Sequence, residues 1–170
     1  MKTRGATVVE VSLALAISIT VGLMLIVPLK KFTTEVSNTW AIERFTHETF
    51  IGMKLYYHNF VSTNGGCYNV APPTITAGQL VTQGLIDVNE VQDSFFLADL
   101  AQLSFQTNNS FGKVDSMSIT VNLPEGTQSY STLANLVSRT NTTLTFQKPI
   151  DFSTDHFITS NISNSFCKGP

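Results

Sequence analysis

The stretch that decides the fold is MKTRGATVVEVSLALAISITVGLMLIVPLKK, residues 1–31. No charged residue occurs from Val11 to Leu29, and nearly every residue in this run is apolar or small. As an α-helix the run would extend about 28 Å, which matches the hydrocarbon thickness of a bilayer. The sequence therefore predicts one membrane-spanning helix near the N-terminus, followed by the basic pair Lys30 and Lys31.

Three simpler identities compete for this segment. A secretory signal peptide has a shorter apolar run and a small-residue cleavage site, whereas this run is long and ends in Val27-Pro28-Leu29-Lys30. A buried core helix would leave the flanking basic residues without a purpose. A signal anchor fits well except for Glu10, because a carboxylate deep in an apolar segment costs about 2.5–3.5 kcal/mol and needs a partner.

The N-terminus resembles the class III signal of prepilins, the precursors of type IV pilins and pseudopilins. The leader MKTRG is short and basic and ends in Gly5, so the resemblance implies that a prepilin peptidase cleaves between Gly5 and Ala6. Thr7 then takes the second mature position and Glu10 the fifth, and these are the residues that the family often has there. The sequence departs from the archetype at Ala6, where the family has Phe.

The resemblance implies a subunit that polymerises through its N-terminal helix. Cleavage would leave Ala6 with a free α-amine, which the family's peptidase usually methylates and which remains cationic. We expect this amine to pair with Glu10 of an adjacent subunit, because poorly solvated opposite charges favour pairing. The implied partners are other pilin subunits, the prepilin peptidase, the inner-membrane assembly platform and the membrane. The alternative for Glu10 is an interfacial residue that reaches the lipid headgroups.

The predicted fold class is α+β, with one long helix packed on a small antiparallel sheet in a pilin-like layout. Residues 1–5 form the cleaved leader, 6–31 the transmembrane and polymerisation helix, 32–63 an amphipathic helix, and 64–170 an extracytoplasmic globular head. Pro28 is predicted to kink or locally melt the helix, because proline lacks an N–H and clashes with the preceding turn.

The amphipathic half is predicted to pack its apolar side against the sheet. That side comprises Phe32, Val36, Trp40, Phe45, Met53, Tyr56 and Phe60. In the head, shorter helices are predicted from Thr76 to Leu85 and from Thr127 to Arg139. Strands are predicted at Leu103–Gln106, Met117–Leu123, Thr143–Gln147 and His156–Ile162, which gives a sheet of about four antiparallel strands.

Cys67 and Cys167 are the two cysteines of the chain. An extracytoplasmic head favours a disulfide between them. The closed loop of about 100 residues would stabilise the head by about 4–5 kcal/mol in the loop-entropy description. The alternative is two unrelated buried thiols.

Composition and motifs argue against several functions. The net charge is −2 and the ten basic residues are scattered, so no nucleic-acid surface is predicted. His47 and His58 are too far apart in sequence to suggest a metal site on their own. No catalytic constellation or phosphate-binding loop is present in the sequence, and we predict no enzyme activity, no cofactor and no metal.

The leading prediction is a pilin or minor pilin of a type IV pilus that serves adhesion, motility, aggregation or DNA uptake. The subunit would sit in the inner membrane with a cytoplasmic N-terminus and would then enter an extracellular or periplasmic filament. One alternative is a type II secretion pseudopilin. The other is a signal-anchored sensor or binding domain that never polymerises.

Overall fold

The structure is a computed structural model of the chain. It describes residues 4–64, 70–92, 96–107, 114–124 and 133–150, without the side chains of residues 4–7 and 27. The chain divides into two compact units, Met1–Thr39 and Trp40–Pro170.

Helix α1 runs from Arg4 to Thr63 and contains 60 residues. Its first half is helical because a helix satisfies the backbone N–H and C=O groups of an apolar segment internally, and its hydroxyl groups are satisfied locally. Ser18 and Thr20 each donate a hydrogen bond of 2.8 Å to the carbonyl oxygen four residues earlier. The helix ends at Thr63, the predicted end of the amphipathic helix, and the N–H of Asn64 still bonds to the carbonyl of Phe60 at 3.0 Å.

The apolar part of α1 in the first unit is exposed. Its most apolar window has a mean hydropathy of 2.4, and none of that window is buried. The exposed fraction is 66% at Val8 and 76% at Met24. By length and composition α1 can cross a membrane, whereas the competing interpretation, a buried core helix, does not fit a segment with no buried residue.

The second unit contains an antiparallel sheet of five strands in the order β1-β2-β3-β5-β4. The strands are β1 (Ile75–Thr76), β2 (Gln102–Thr107), β3 (Val114–Asn122), β4 (Leu136–Arg139) and β5 (Thr143–Pro149). A short helix, α2 (Ala77–Thr82), follows β1, and two 3₁₀ turns occur at Val88–Glu90 and Ala98–Leu100. The long helix and the small antiparallel sheet confirm the predicted α+β class.

Apolar and polar side chains alternate along the strands, so the sheet has one apolar and one polar face. In β3 the side chains of Met117, Ile119 and Val121 are buried in the core, and Ile119 lies opposite Leu103 of β2 and Phe146 of β5. On the opposite face of the three central strands, the paired side chains are uncharged and polar except for Pro149, which lies opposite Ser116. The polar residues are Gln102, Ser104, Gln106, Ser116, Ser118, Thr120, Asn122, Thr143, Thr145 and Gln147.

Hydrogen bonds connect side chains across the polar face. The side-chain amide of Gln147 donates to Oε1 of Gln106 and to Oγ of Ser116, both at 3.0 Å. These contacts link β2, β3 and β5, and Oγ of Ser116 also donates to the carboxylate of Asp115 at 3.2 Å. The polar face therefore meets much of its hydrogen-bonding demand by itself.

The second half of α1 packs on the apolar face of the sheet. The rings of Tyr57 and Phe105 are stacked with centroids 5.5 Å apart. Phe45 of α1 meets the ring of Phe96 edge-on, with centroids 5.2 Å apart. The buried residues of this half of α1 include Ile42, Phe45, Phe50, Met53, Tyr57 and Val61. The predicted packing of the helix on the sheet is thus confirmed for this half.

The predicted apolar side of α1 is wrong at its N-terminal end. Phe32, Val36 and Trp40 recur four residues apart, but their exposed fractions are 63%, 52% and 66%. The core contact begins only at Ile42. Apolar spacing alone does not show which part of a long helix lies over the sheet.

The predicted helix from Thr127 to Arg139 is wrong over its last residues. Leu136–Arg139 forms β4, which pairs with β5 in antiparallel register. Asn135 has φ 62°, a left-handed conformation that a helix does not tolerate. Residues 125–132 lie outside the described residues, as does the predicted strand His156–Ile162.

Helix α2 begins as predicted and ends early. Thr76 is its N-cap, and Thr76 and Gln79 form a capping box in which each side chain bonds to the other residue's backbone N–H. The helix stops at Thr82 rather than continuing to Leu85. Gly84 has φ 68°, which ends the helix in the way that glycine commonly does.

The loop after α2 packs directly on α1. The guanidinium of Arg44 forms an ion pair with Glu90 of the first 3₁₀ turn. A Cβ built on Gly52 would lie 2.5 Å from Cγ2 of Ile86 and 3.1 Å from the carbonyl oxygen of Leu85. Only glycine allows this close approach of helix and loop.

Gly52→Ala is expected to lower the free energy of unfolding of the head by about 1–2 kcal/mol. Overpacking costs about 1–3 kcal/mol, and the higher helix propensity of alanine recovers up to about 1 kcal/mol. Chemical denaturation of the full chain in detergent, followed by near-UV circular dichroism, measures the change. Gly22→Ala is the matched control, because a Cβ on Gly22 meets nothing within 4 Å. Equal stability of Gly52→Ala and the unmodified chain would contradict the tight contact.

Candidate assembly site on the N-terminal helix

Glu10 is an acid on an exposed apolar segment of α1. Its side chain is exposed, and Val8, Val9 and Val11 beside it are about as exposed, at 66%, 67% and 64%. Within the described part of the chain, Glu10 has no hydrogen-bond or ion-pair partner. A carboxylate among apolar side chains without a partner is unfavourable wherever water is excluded.

The neighbouring hydroxyl groups do not share this need for a partner. Ser18 bonds to the carbonyl of Ala14, and Thr20 bonds to the carbonyls of Ala16 and Ile17. These bonds satisfy the hydroxyl donors inside the helix itself, so the two residues can face lipid or another helix at little cost. Glu10 differs because a carboxylate cannot donate to its own backbone.

Small residues follow Glu10 along one side of α1. Ala14, Ser18 and Gly22 come four, eight and twelve residues after it, and residues four apart lie on neighbouring turns of the same side. Small side chains at this spacing let two apolar helices approach closely. The sequence interpretation missed this pattern, although the four-residue spacing is visible in the sequence.

The bond predicted to be cleaved lies in a helical part of the chain. The structure describes α1 from Arg4 onwards, so the Gly5–Ala6 peptide belongs to this helix. Cleavage at this bond remains a prediction.

Pro28 lies inside α1, and the helix is continuous across it. Proline removes one N–H from the helix, so the carbonyl of Met24, four residues earlier, loses its usual donor. The hydrogen bonds on both sides are sufficient to keep the segment helical. The helix is therefore not melted at Pro28, and the predicted kink at this residue remains a prediction.

The predicted disulfide partners, Cys67 and Cys167, lie outside the described residues. The pairing therefore remains a prediction. The last described residue of the helix end is Asn64, three positions before Cys67.

The two histidines that the sequence analysis considered are both on exposed positions of α1. Nδ1 of His47 is 3.4 Å from a carboxylate oxygen of Glu48. Among the residues that the structure describes, no group of three or more His, Cys, Asp or Glu side chains is placed to hold a metal ion.

Comparison with protein-family models, with curated protein sequences and with solved structures gives no match to this chain. The functional interpretation therefore depends on the chain's own residues. The informative features are the Gly5–Ala6 bond, the carboxylate of Glu10 and the exposed apolar helix that carries them.

Proposed function

We propose that this chain is a structural subunit of a type IV pilus-like filament. The subunit is held in the inner membrane by the N-terminal half of α1 and then polymerises through that same segment. The observation that carries the proposal is Glu10, an acid on an exposed apolar helix four residues after Ala6, which has no partner among the side chains that the structure describes.

The exposed apolar segment of α1 needs a cover that excludes water both before and after assembly. Val8–Leu29 is too apolar and too exposed to remain in water. Lipid can cover it before assembly, and the equivalent helices of other copies can cover it in a filament. Both environments exclude water, so both make the charge of Glu10 costly unless it is paired.

Cleavage after Gly5 supplies the missing partner in this proposal. The new α-amine of Ala6 is a cation at the end of an apolar helix, and Glu10 of an adjacent copy is an anion at nearly the same depth. Pairing the two offsets the cost of placing each in an apolar environment. Because only one register brings the two groups together, the pair also fixes the axial position of neighbouring helices, as a buried polar residue does in a coiled coil.

The small residues on the side of Glu10 support close contact at this point. Ala14, Ser18 and Gly22 allow a neighbouring backbone to approach, which shortens the distance over which the carboxylate must reach. The proposed interface is therefore the side of α1 that carries Glu10, Ala14, Ser18 and Gly22.

Ala14→Leu is expected to reduce filament assembly about tenfold, because a larger side chain separates helices that pack through small residues. Ala16→Leu is the matched control, since it makes the same change two residues away, on the other side of the helix. The amount of subunit in the filament fraction sheared from cells, relative to the membrane fraction, measures the effect. Equal loss in both variants would rule out this side of α1 as the preferred contact.

Three kinds of protein would interact with the subunit in this function. A prepilin peptidase cuts the Gly5–Ala6 bond, an inner-membrane platform inserts subunits, and other pilin subunits form the polymer. The head contributes the outer surface of the filament and serves adhesion, motility, aggregation or DNA uptake.

The N-terminus of the mature protein tests the proposal most directly. We expect intact-mass and N-terminal analysis of detergent-extracted protein to show a chain that begins at Ala6, with methylation of its α-amine. The loss of the leader Met1–Gly5 is a large and unambiguous mass change. A mature chain that still begins at Met1 would favour a signal-anchored domain that never polymerises.

A further inference from the structure

We draw no further inference here: the strongest candidate, the exposed apolar stripe that Trp40, Ile51 and Leu55 form on the solvent side of α1 in the second unit, carries nothing because nothing in the structure shows what covers it.

Discussion

Glu10→Gln is expected to abolish filaments while the subunit remains in the membrane. The substitution keeps the shape of the side chain and removes its charge, so the α-amine of Ala6 in the adjacent copy is left without a counter-ion. Removing one member of a buried ion pair costs about 3–5 kcal/mol, because the other charge is left without a partner. A loss of about 3 kcal/mol in the free energy of assembly already raises the subunit concentration needed for assembly by about 100-fold.

The measurement separates assembly from membrane insertion. Sheared filaments and washed membranes are probed for the subunit in the same cells, and the N-terminus of the membrane-bound protein is determined. We expect Glu10→Gln to be cleaved at Ala6, present in membranes and absent from filaments. Glu35→Gln is the matched control, because it neutralises another acid of α1 beyond the apolar segment. Normal filaments from Glu10→Gln would show that no charge pair at this position is needed.

Gly5→Leu is expected to leave the chain uncut and to prevent assembly completely. In the proposed function the peptidase cuts after the glycine that ends the leader, and this substitution removes that glycine. Without cleavage, residue 6 has a peptide N–H in place of a cationic amine, and the basic residues Lys2 and Arg4 stay attached to the apolar helix. The partner of Glu10 is then absent, although Glu10 itself is unchanged.

Intact-mass analysis of membrane extracts shows whether Met1 is retained, and the sheared fraction shows whether filaments form. Thr3→Leu is the control, because it enlarges another leader residue without touching the bond. The two variants test different steps, so each prediction can be contradicted without the other. Gly5→Leu blocks processing and assembly together, whereas Glu10→Gln blocks assembly only. Filaments built from uncut Gly5→Leu chains would contradict the role of the freed amine.

Much of the fold could be predicted from local patterns. The apolar run before Lys30 predicted the long helix, because such a run has no other stable conformation in lipid. Thr76 predicted the start of α2, since its hydroxyl satisfies an otherwise unpaired N–H. The alternation from Met117 to Leu123 predicted β3, whose apolar residues are buried on one side.

The errors arose where tertiary contacts decided between local options. Leu133, Leu136 and Val137 have spacing that suits a helix, yet Leu136 and its successors pair with β5. Val137 is 57% exposed. An edge strand forms because it pairs with a neighbouring strand, and the sequence of a four-residue strand does not indicate which neighbour it will pair with.

The candidate site was more predictable than the contacts of the head. A single acid in an apolar helix is conspicuous in sequence, and its exposure in the structure agrees with a surface that other helices can cover. The ion pair between Arg44 and Glu90 could not be foreseen in the same way, because the two residues are 46 positions apart. Neither could the close approach of Gly52 to Ile86, which depends on the path of an irregular loop.

The polar face of the sheet has a consequence for how the hydration of the head depends on salt concentration and pH. Ions screen charged surfaces within about 10 Å at 0.1 M salt and within about 3 Å at 1 M, and acid neutralises carboxylates. Carboxamides and hydroxyls on β2, β3 and β5 respond to neither change. Ser116 and Ser118 are buried, so the part of this face that meets water includes the exposed Gln102 and Gln106. In a fibre that presented these two carboxamides outward, their hydration would be the same in fresh water, in brine and in mild acid.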